Sequence, residues 1–166
     1  SDIQKSYSEY PQEIKKYIIP IDVSDEDYIR EWLSIPYDRK IIPEDVPVYL
    51  TDKGERVRSK SELNIANTLY KMGISYKYEC SFVLMNGRTV HPDFTILNKK
   101  SGKIYYWEHI GMLGNQIYSN DFVRKANDYI EDGIIPGKQL ILTYETKDEP
   151  LNIQVVKILV EEIVKS

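Results

Sequence analysis

Glu62, Asp93, Glu108 and Lys125 are the residues of this chain whose types and positions could do chemistry together. Asp93 follows Pro92 in an alternating stretch, and Glu108 interrupts the apolar and aromatic run Ile104-Tyr105-Tyr106-Trp107-Glu108-His109-Ile110. With a strand's period of two, Glu108 shares a face with Ile104, Tyr106 and Ile110. A carboxylate buried there costs free energy unless a cation or hydrogen-bond donors compensate it. Two carboxylates on neighbouring strands could converge, and hard oxygen ligands are what Mg2+ or Mn2+ takes. The plainer alternative is one salt-bridged acid and one partly exposed acid. Glu62 falls on the same helix face as Ile65, Ala66 and Leu69, at the head of an apolar stripe. It also completes Ser59-Lys60-Ser61-Glu62, an S-x-x-E capping box, so a helix-starting role competes with a catalytic one. His91, if it were a ligand, would point towards Mn2+ or a related transition metal.

The hydrophobic pattern predicts the elements that must position these residues. Ile65, Ala66, Leu69 and Met72 mark one face of a helix that Gly73 ends. Tyr76 to Leu84 alternates as a strand, with Tyr76, Tyr78, Cys80, Phe82 and Leu84 on one side. Asn86-Gly87 is a hairpin signal, and Val90, Phe94 and Ile96 alternate with His91, Asp93 and Thr95 in a second strand. A turn from Asn98 to Gly102 leads to a third strand near Ile104 to Ile110. Asp121 to Glu131 reads as a helix, Gln139 to Tyr144 as a buried strand, and Ile153, Val156, Val160 and Ile163 as one face of a C-terminal helix. Helix, three-strand meander, helix, strand, helix predicts an α/β (α+β) fold with a mixed central sheet flanked by helices. Residues 1–50, punctuated by Pro11, Pro20, Pro36, Pro43 and Pro47, read as a short helical N-terminal elaboration packed on a core of residues 51–166. Within it, Ser24-Asp25-Glu26-Asp27 before Tyr28, Ile29, Trp32 and Leu33 reads as a capped amphipathic helix.

Composition sets the outer bounds. The 166 residues suit one domain, and 42% hydrophobic content excludes wholesale disorder. Apolar runs such as Ile158-Leu159-Val160 are far shorter than the ~20 residues of a membrane span, so no membrane partner is expected. A single cysteine, Cys80, and no secretory pattern point to the cytoplasm, although a first residue of Ser1 weakens any argument from missing signals. The net charge of −4 excludes a purely electrostatic coat on nucleic acid or membrane, while leaving room for a local basic groove.

A glutamate opening a helix, then Pro92-Asp93 in a strand, then Glu108 in the next strand, resembles the PD-(D/E)xK nucleases of the restriction-endonuclease-like superfamily. The resemblance covers roughly Val57 to Thr143. Ser59-Lys60-Ser61-Glu62, His91-Pro92-Asp93-Phe94, Trp107-Glu108-His109-Ile110-Gly111 and Lys125-Ala126-Asn127-Asp128-Tyr129 look like the nuclease-like domains attached to some bacterial superfamily-one helicases. The resemblance implies a restriction-endonuclease-like fold and a metal-dependent endonuclease, a hydrolase of phosphodiester bonds with DNA as the favoured substrate. Asp93, Glu108 and the backbone carbonyl of His109 would hold Mg2+ or Mn2+, with Glu62 reaching it directly or through water. A helicase or another domain of a larger protein would be a partner.

The chain departs from the family's E-x-K element, because the lysine position is Ile110. Two substitutes are open: His109, which should face the other way unless the strand bulges, and Lys125, which the subgroup resemblance favours. Phosphate contacts are expected from Arg56, Arg58 and Lys60 before the Glu62 helix and from Lys99, Lys100 and Lys103 before the Glu108 strand. The Ile110 departure also leaves a catalytically inactive nucleic-acid-binding or protein-interaction module as the alternative.

Overall fold

The structure, a computed structural model, describes residues 25–166. The chain divides into two compact units, Ser1–Ile35 and Pro36–Ser166. In the first, α1 (Asp25–Ser34) carries half-buried Tyr28, Ile29 and Trp32. Its expected cap Ser24, and the arm before it, lie outside the described residues. The division falls at Ile35, so residues 36–50 group with the core unit. Pro36 explains the helix end, since a residue before proline is driven out of the α region.

The second unit runs β1 (Tyr49–Leu50), β2 (Arg56–Val57), α2 (Lys60–Lys71), β3 (Ser75–Tyr78), β4 (Phe82–Val83) and β5 (Thr89–Val90). It continues with β6 (Phe94–Leu97), β7 (Ile104–Ile110), α3 (Gln116–Glu131), β8 (Leu140–Tyr144) and α4 (Ile153–Lys165). The fold is mixed α+β. A four-stranded sheet has the order β3-β6-β7-β8, antiparallel except for β8, which runs parallel to β7. β1–β2 and β4–β5 form separate two-stranded ribbons.

The single strand expected from Tyr76 to Leu84 is interrupted. Glu79 adopts φ 50°, the left-handed region, and its carboxylate is gripped by Arg58 Nε and Nη2, the latter at 3.1 Å. The partner strand breaks opposite it at His91 to Asp93, where Pro92 lacks an amide to donate. Glu79 N–H donates to the Asp93 carbonyl at 3.0 Å across this joint. Beyond it, the Asn86-Gly87 turn closes β4 and β5 as a ribbon of their own. α3 begins at Gln116, earlier than the expected Asp121, because the Asn115 side chain caps Tyr118 N–H at 3.0 Å. The apolar pattern misses that turn since Ile117 and Val123 point to solvent.

The pleat sorts the core into two layers. Tyr76, Tyr78, Phe94, Ile96 and Trp107 pack against Ile65, Ala66 and Leu69 of α2 and Val156, Val160 and Ile163 of α4. On the other face, Leu140, with Tyr106 and Leu142, meets Tyr129 of α3 and the ribbon's Leu84 and Val90. Each fully buried large apolar side chain contributes roughly 1.5–3 kcal/mol. Adjacent residues of β7 therefore address different helices, which decides where Glu108 and His109 point.

Candidate active site

Phe94 lies opposite Trp107, and continuing this antiparallel register sets Asp93 beside Glu108. Asp93 is anchored by a backbone group: its Oδ2 accepts the His109 N–H at 2.6 Å. Glu108 is buried on the α3 face, where its Oε1 meets Lys125 Nζ at 2.5 Å and accepts the Tyr129 hydroxyl at 2.7 Å. Lys125 and Tyr129 stand one turn apart on α3, so a single helix face delivers both. Glu62 Oε2 accepts from Arg58 N–H at 3.0 Å, Tyr78 Oη at 3.2 Å and Ser59 Oγ at 3.3 Å. The capping box is thus formed, with Ser59 Oγ accepting Glu62 N–H, although the returned bond goes to the amide of Arg58 and not of Ser59.

Each acid is therefore held by one oxygen only. Glu62 Oε1, Asp93 Oδ1 and Glu108 Oε2 have no hydrogen-bond partner among the described residues. None of the three is a fully buried orphan, so each is open to solvent or ligand. Among the described residues, no three His, Cys, Asp or Glu side chains form a ready metal-holding group.

The charges explain the proton affinities. Asp93 is raised well above the usual carboxylate range, first by burial and then by the negative charges of Glu108 and Glu62; the His109 amide and Lys125 oppose this. Glu62 is raised by burial and by Glu79, against the hydrogen bonds from Tyr78, Arg58 and Ser59. Burial, followed by the neighbouring carboxylates, pushes the phenols of Tyr78 and Tyr129 far up, so both remain neutral donors. Three carboxylates face one ammonium, and the uncompensated negative field is what a divalent cation would relieve.

The His109 imidazole does not join the carboxylates. β7 carries no bulge there, and the ring points to the opposite face, into a network of its own. Nδ1 lies 2.8 Å from Thr143 Oγ1, which already accepts the Trp107 Nε1 proton at 3.0 Å. Thr143 is thereby free to donate to Nδ1, which places the neutral ring's proton on Nε2, 2.6 Å from Glu145 Oε1. Glu145 also accepts from Ser61 Oγ at 2.5 Å and from Leu151 N–H at 3.2 Å. Burial alone would raise Glu145, but these three bonds outweigh it and hold its pKa below the ordinary value. His109 reaches the acid cluster through its backbone: N–H to Asp93, and its carbonyl accepting the Tyr118 hydroxyl at 3.4 Å.

Ile110 shares the Glu108 face and is 1% exposed, so no charge occupies that position. The expected phosphate contacts are mostly placed elsewhere. Arg56 Nη2 donates to the carbonyls of Val46 at 2.6 Å and Pro43 at 3.3 Å, and Arg58 grips Glu79, so both arginines brace the fold. Lys60 is exposed at the start of α2. Lys99, Lys100 and Lys103 lie in the β6–β7 turn, at the far end of the hairpin. Glu108 lies four steps along the strand from Ile104, or about 13 Å at ~3.3 Å per residue. That cluster does not flank the acids. His91 is half-exposed and makes no bond to Asp93; burial first, then Lys40 and Lys125, lower its proton affinity against Glu79 and Asp38. Sequence reasoning missed Tyr78, Tyr129, Thr143 and Glu145; only the i, i+4 spacing of Lys125 and Tyr129 signalled one of them.

No family model and no solved structure matches the chain. Over 70 residues it is 47% identical to the uncharacterized protein MJ1519 of Methanocaldococcus jannaschii. That stretch is 42% of this chain and 6% of the relative's length, so the likeness concerns a small part of a much longer protein.

Proposed function

We propose that this chain is a divalent-metal-dependent nuclease that hydrolyses phosphodiester bonds, with DNA as the favoured substrate and a restriction-endonuclease-like fold of the PD-(D/E)xK kind. The observation that carries the reading is Lys125 reaching from α3 to Glu108, beside Asp93, where the strand itself offers only Ile110. The ammonium so displaced in sequence still stands at the acid pair. The residues fit Mg2+ or Mn2+, since every donor is a hard oxygen and each acid keeps one unbonded. Asp93, Glu108 and the His109 carbonyl would hold the ion, with Glu62 direct or through water. Bound there, the metal would polarise the phosphate and lower the pKa of a water nucleophile. Lys125 holds fixed positive charge where negative charge grows on the phosphate. Tyr129 and Lys125 occupy the same oxygen of Glu108, which leaves the other for the cation. The His109 amide fixes the rotamer of Asp93.

A short match inside a far longer relative suits a module that works beside other domains, a helicase among the candidates, in the cytoplasm. No helix among the described residues is long and apolar enough to cross a membrane. The test is cleavage of supercoiled plasmid, linear duplex, single-stranded DNA and RNA with Mg2+, Mn2+ or chelator. Metal-dependent cutting that vanishes in Asp93→Ala and falls at least ~100-fold in Lys125→Met is expected. Cutting that persists in a clean Asp93→Ala preparation would sink the reading. The buried Ile110 favours one other reading, an inactive nucleic-acid-binding or protein-interaction module, which predicts no turnover with any metal.

A further inference from the structure

A cleft of about 880 Å3 opens beside the acid cluster, between the β4–β5 ribbon and α3. Lys40, Arg88, His91, Arg124 and Lys125 line it, against Asp121 and Asp128. Four permanent cations line it against two acids, and with Lys125 already paired to Glu108 an excess of one positive charge remains, in a chain of formal charge −4. The walls are braced: Arg88 Nη1 pairs with Asp128 Oδ2 at 2.8 Å, Asn86 Nδ2 donates to Asp128 Oδ1 at 3.2 Å, and Met85 N–H donates to Asp132 Oδ1 at 2.7 Å. Arg88 and Asp128 therefore satisfy each other as structure. Arg124 meets Asp121 only at 3.5 Å with both side chains 65% exposed, a pairing that water screens. Lys40 is exposed and makes no hydrogen bond or ion pair among the described residues. Lys125 belongs to both the cleft and the acid cluster, and His91 leads into Asp93 two residues on.

We propose that this cleft seats a phosphodiester backbone of the nucleic acid next to the reacting phosphate, with Lys40, His91 and Arg124 as its contacts. The location rests on the nuclease reading, but the binding needs neither metal nor turnover. Lys40 and Arg124 supply permanent charge and His91 a ring nitrogen that can hydrogen-bond, groups that hold a phosphate backbone in place.

The test is fluorescence anisotropy of a labelled single-stranded DNA oligonucleotide with the full chain in EDTA, across a salt series. A parallel arm uses RNA of the same sequence, and another uses tripolyphosphate as competitor. Lys40→Glu with Arg124→Glu should weaken binding at least ~10-fold at low salt and flatten the log–log salt slope by roughly 1.4, two phosphate contacts' worth. Lys99→Glu with Lys100→Glu, the same change in charge at the far hairpin end, should stay within about twofold. Both pairs are exposed, and circular dichroism of each variant serves as the check that it is folded. Equal affinity for DNA and RNA supports a backbone site; tripolyphosphate displacing the strand at equal concentration overturns it in favour of a free-polyphosphate site. Equal losses in the two double variants, an unchanged cleft variant, or no binding by the native protein each overturn it too. Cleavage by native protein combined with an unchanged cleft variant would leave the nuclease reading standing alone, and binding without cleavage would do the reverse.

Discussion

Asp93 has two neighbours of its own sign, Glu62 and Glu108, and its proton affinity is raised accordingly. A carboxyl whose folded pKa exceeds its unfolded value of ~3.9 binds its proton more tightly in the native state. Native stability then falls as pH rises from about 4 through the raised folded value. In chelator, Asp93→Asn should raise the Tm at pH 7, with a gain that shrinks as pH approaches 4; an equal or lower Tm at pH 7 would contradict the repulsion. Added Mg2+ should raise the Tm of the native protein and not of this variant, because binding to the folded state alone stabilises it. At Glu108, Tyr129→Phe removes one hydrogen bond to a charged acceptor, a loss of ~1.5–3 kcal/mol in urea unfolding. Its turnover should fall less than that of Lys125→Met, since the ammonium stays in place. A larger fall for Tyr129→Phe would transfer the principal role to the phenol.

Strand β7 works as a partition. Glu108 and His109 are adjacent, yet one faces α3 and the other faces α2 and α4, so Glu108 and the His109 network are separated by the pleat. The network ties β7, β8, the first turn of α2 and the loop before α4 through Glu145. Because the folded pKa of Glu145 is depressed, its contribution is complete above the ordinary value of 4.5 and is lost as pH falls through the lower folded value. Glu145→Gln should therefore destabilise by ~1–3 kcal/mol at pH 7 and match the native protein in acid. A double-mutant cycle with Ser61→Ala should show coupling of ~0.5–3 kcal/mol across β8 and α2. A pH-independent difference would mean that the carboxylate charge plays no part.

At the largest scale, every buried core residue among the described residues lies within Pro36–Ser166. A chain cut to those residues should unfold in one cooperative transition, by both calorimetry and tryptophan fluorescence; two transitions, or none, would show that its core is incomplete. Trp107 is fully buried between the β-sheet and the α2–α4 layer and donates to Thr143, so Trp107→Ala should cost ~3–5 kcal/mol.

Alternation alone placed β7 and set Glu108 and His109 on opposite faces, because side-chain direction in a strand depends only on parity. Ser59 to Glu62 announced the start of α2, and the Lys125 to Tyr129 spacing put two donors on one helix face, both through local geometry. The mixed α+β order was legible for the same reason. Tertiary structure decided the rest. The break at Glu79 depends on Arg58, 21 residues away, which is why an unbroken alternation misled. Arg56 and Arg58 read as free cations until the carbonyls and the carboxylate that occupy them were in place. Ser61 and Glu145 meet across 84 residues, and Trp107 and Thr143 across 36. Pairings over such separations follow from how helices pack on the sheet, and no local period carries that information.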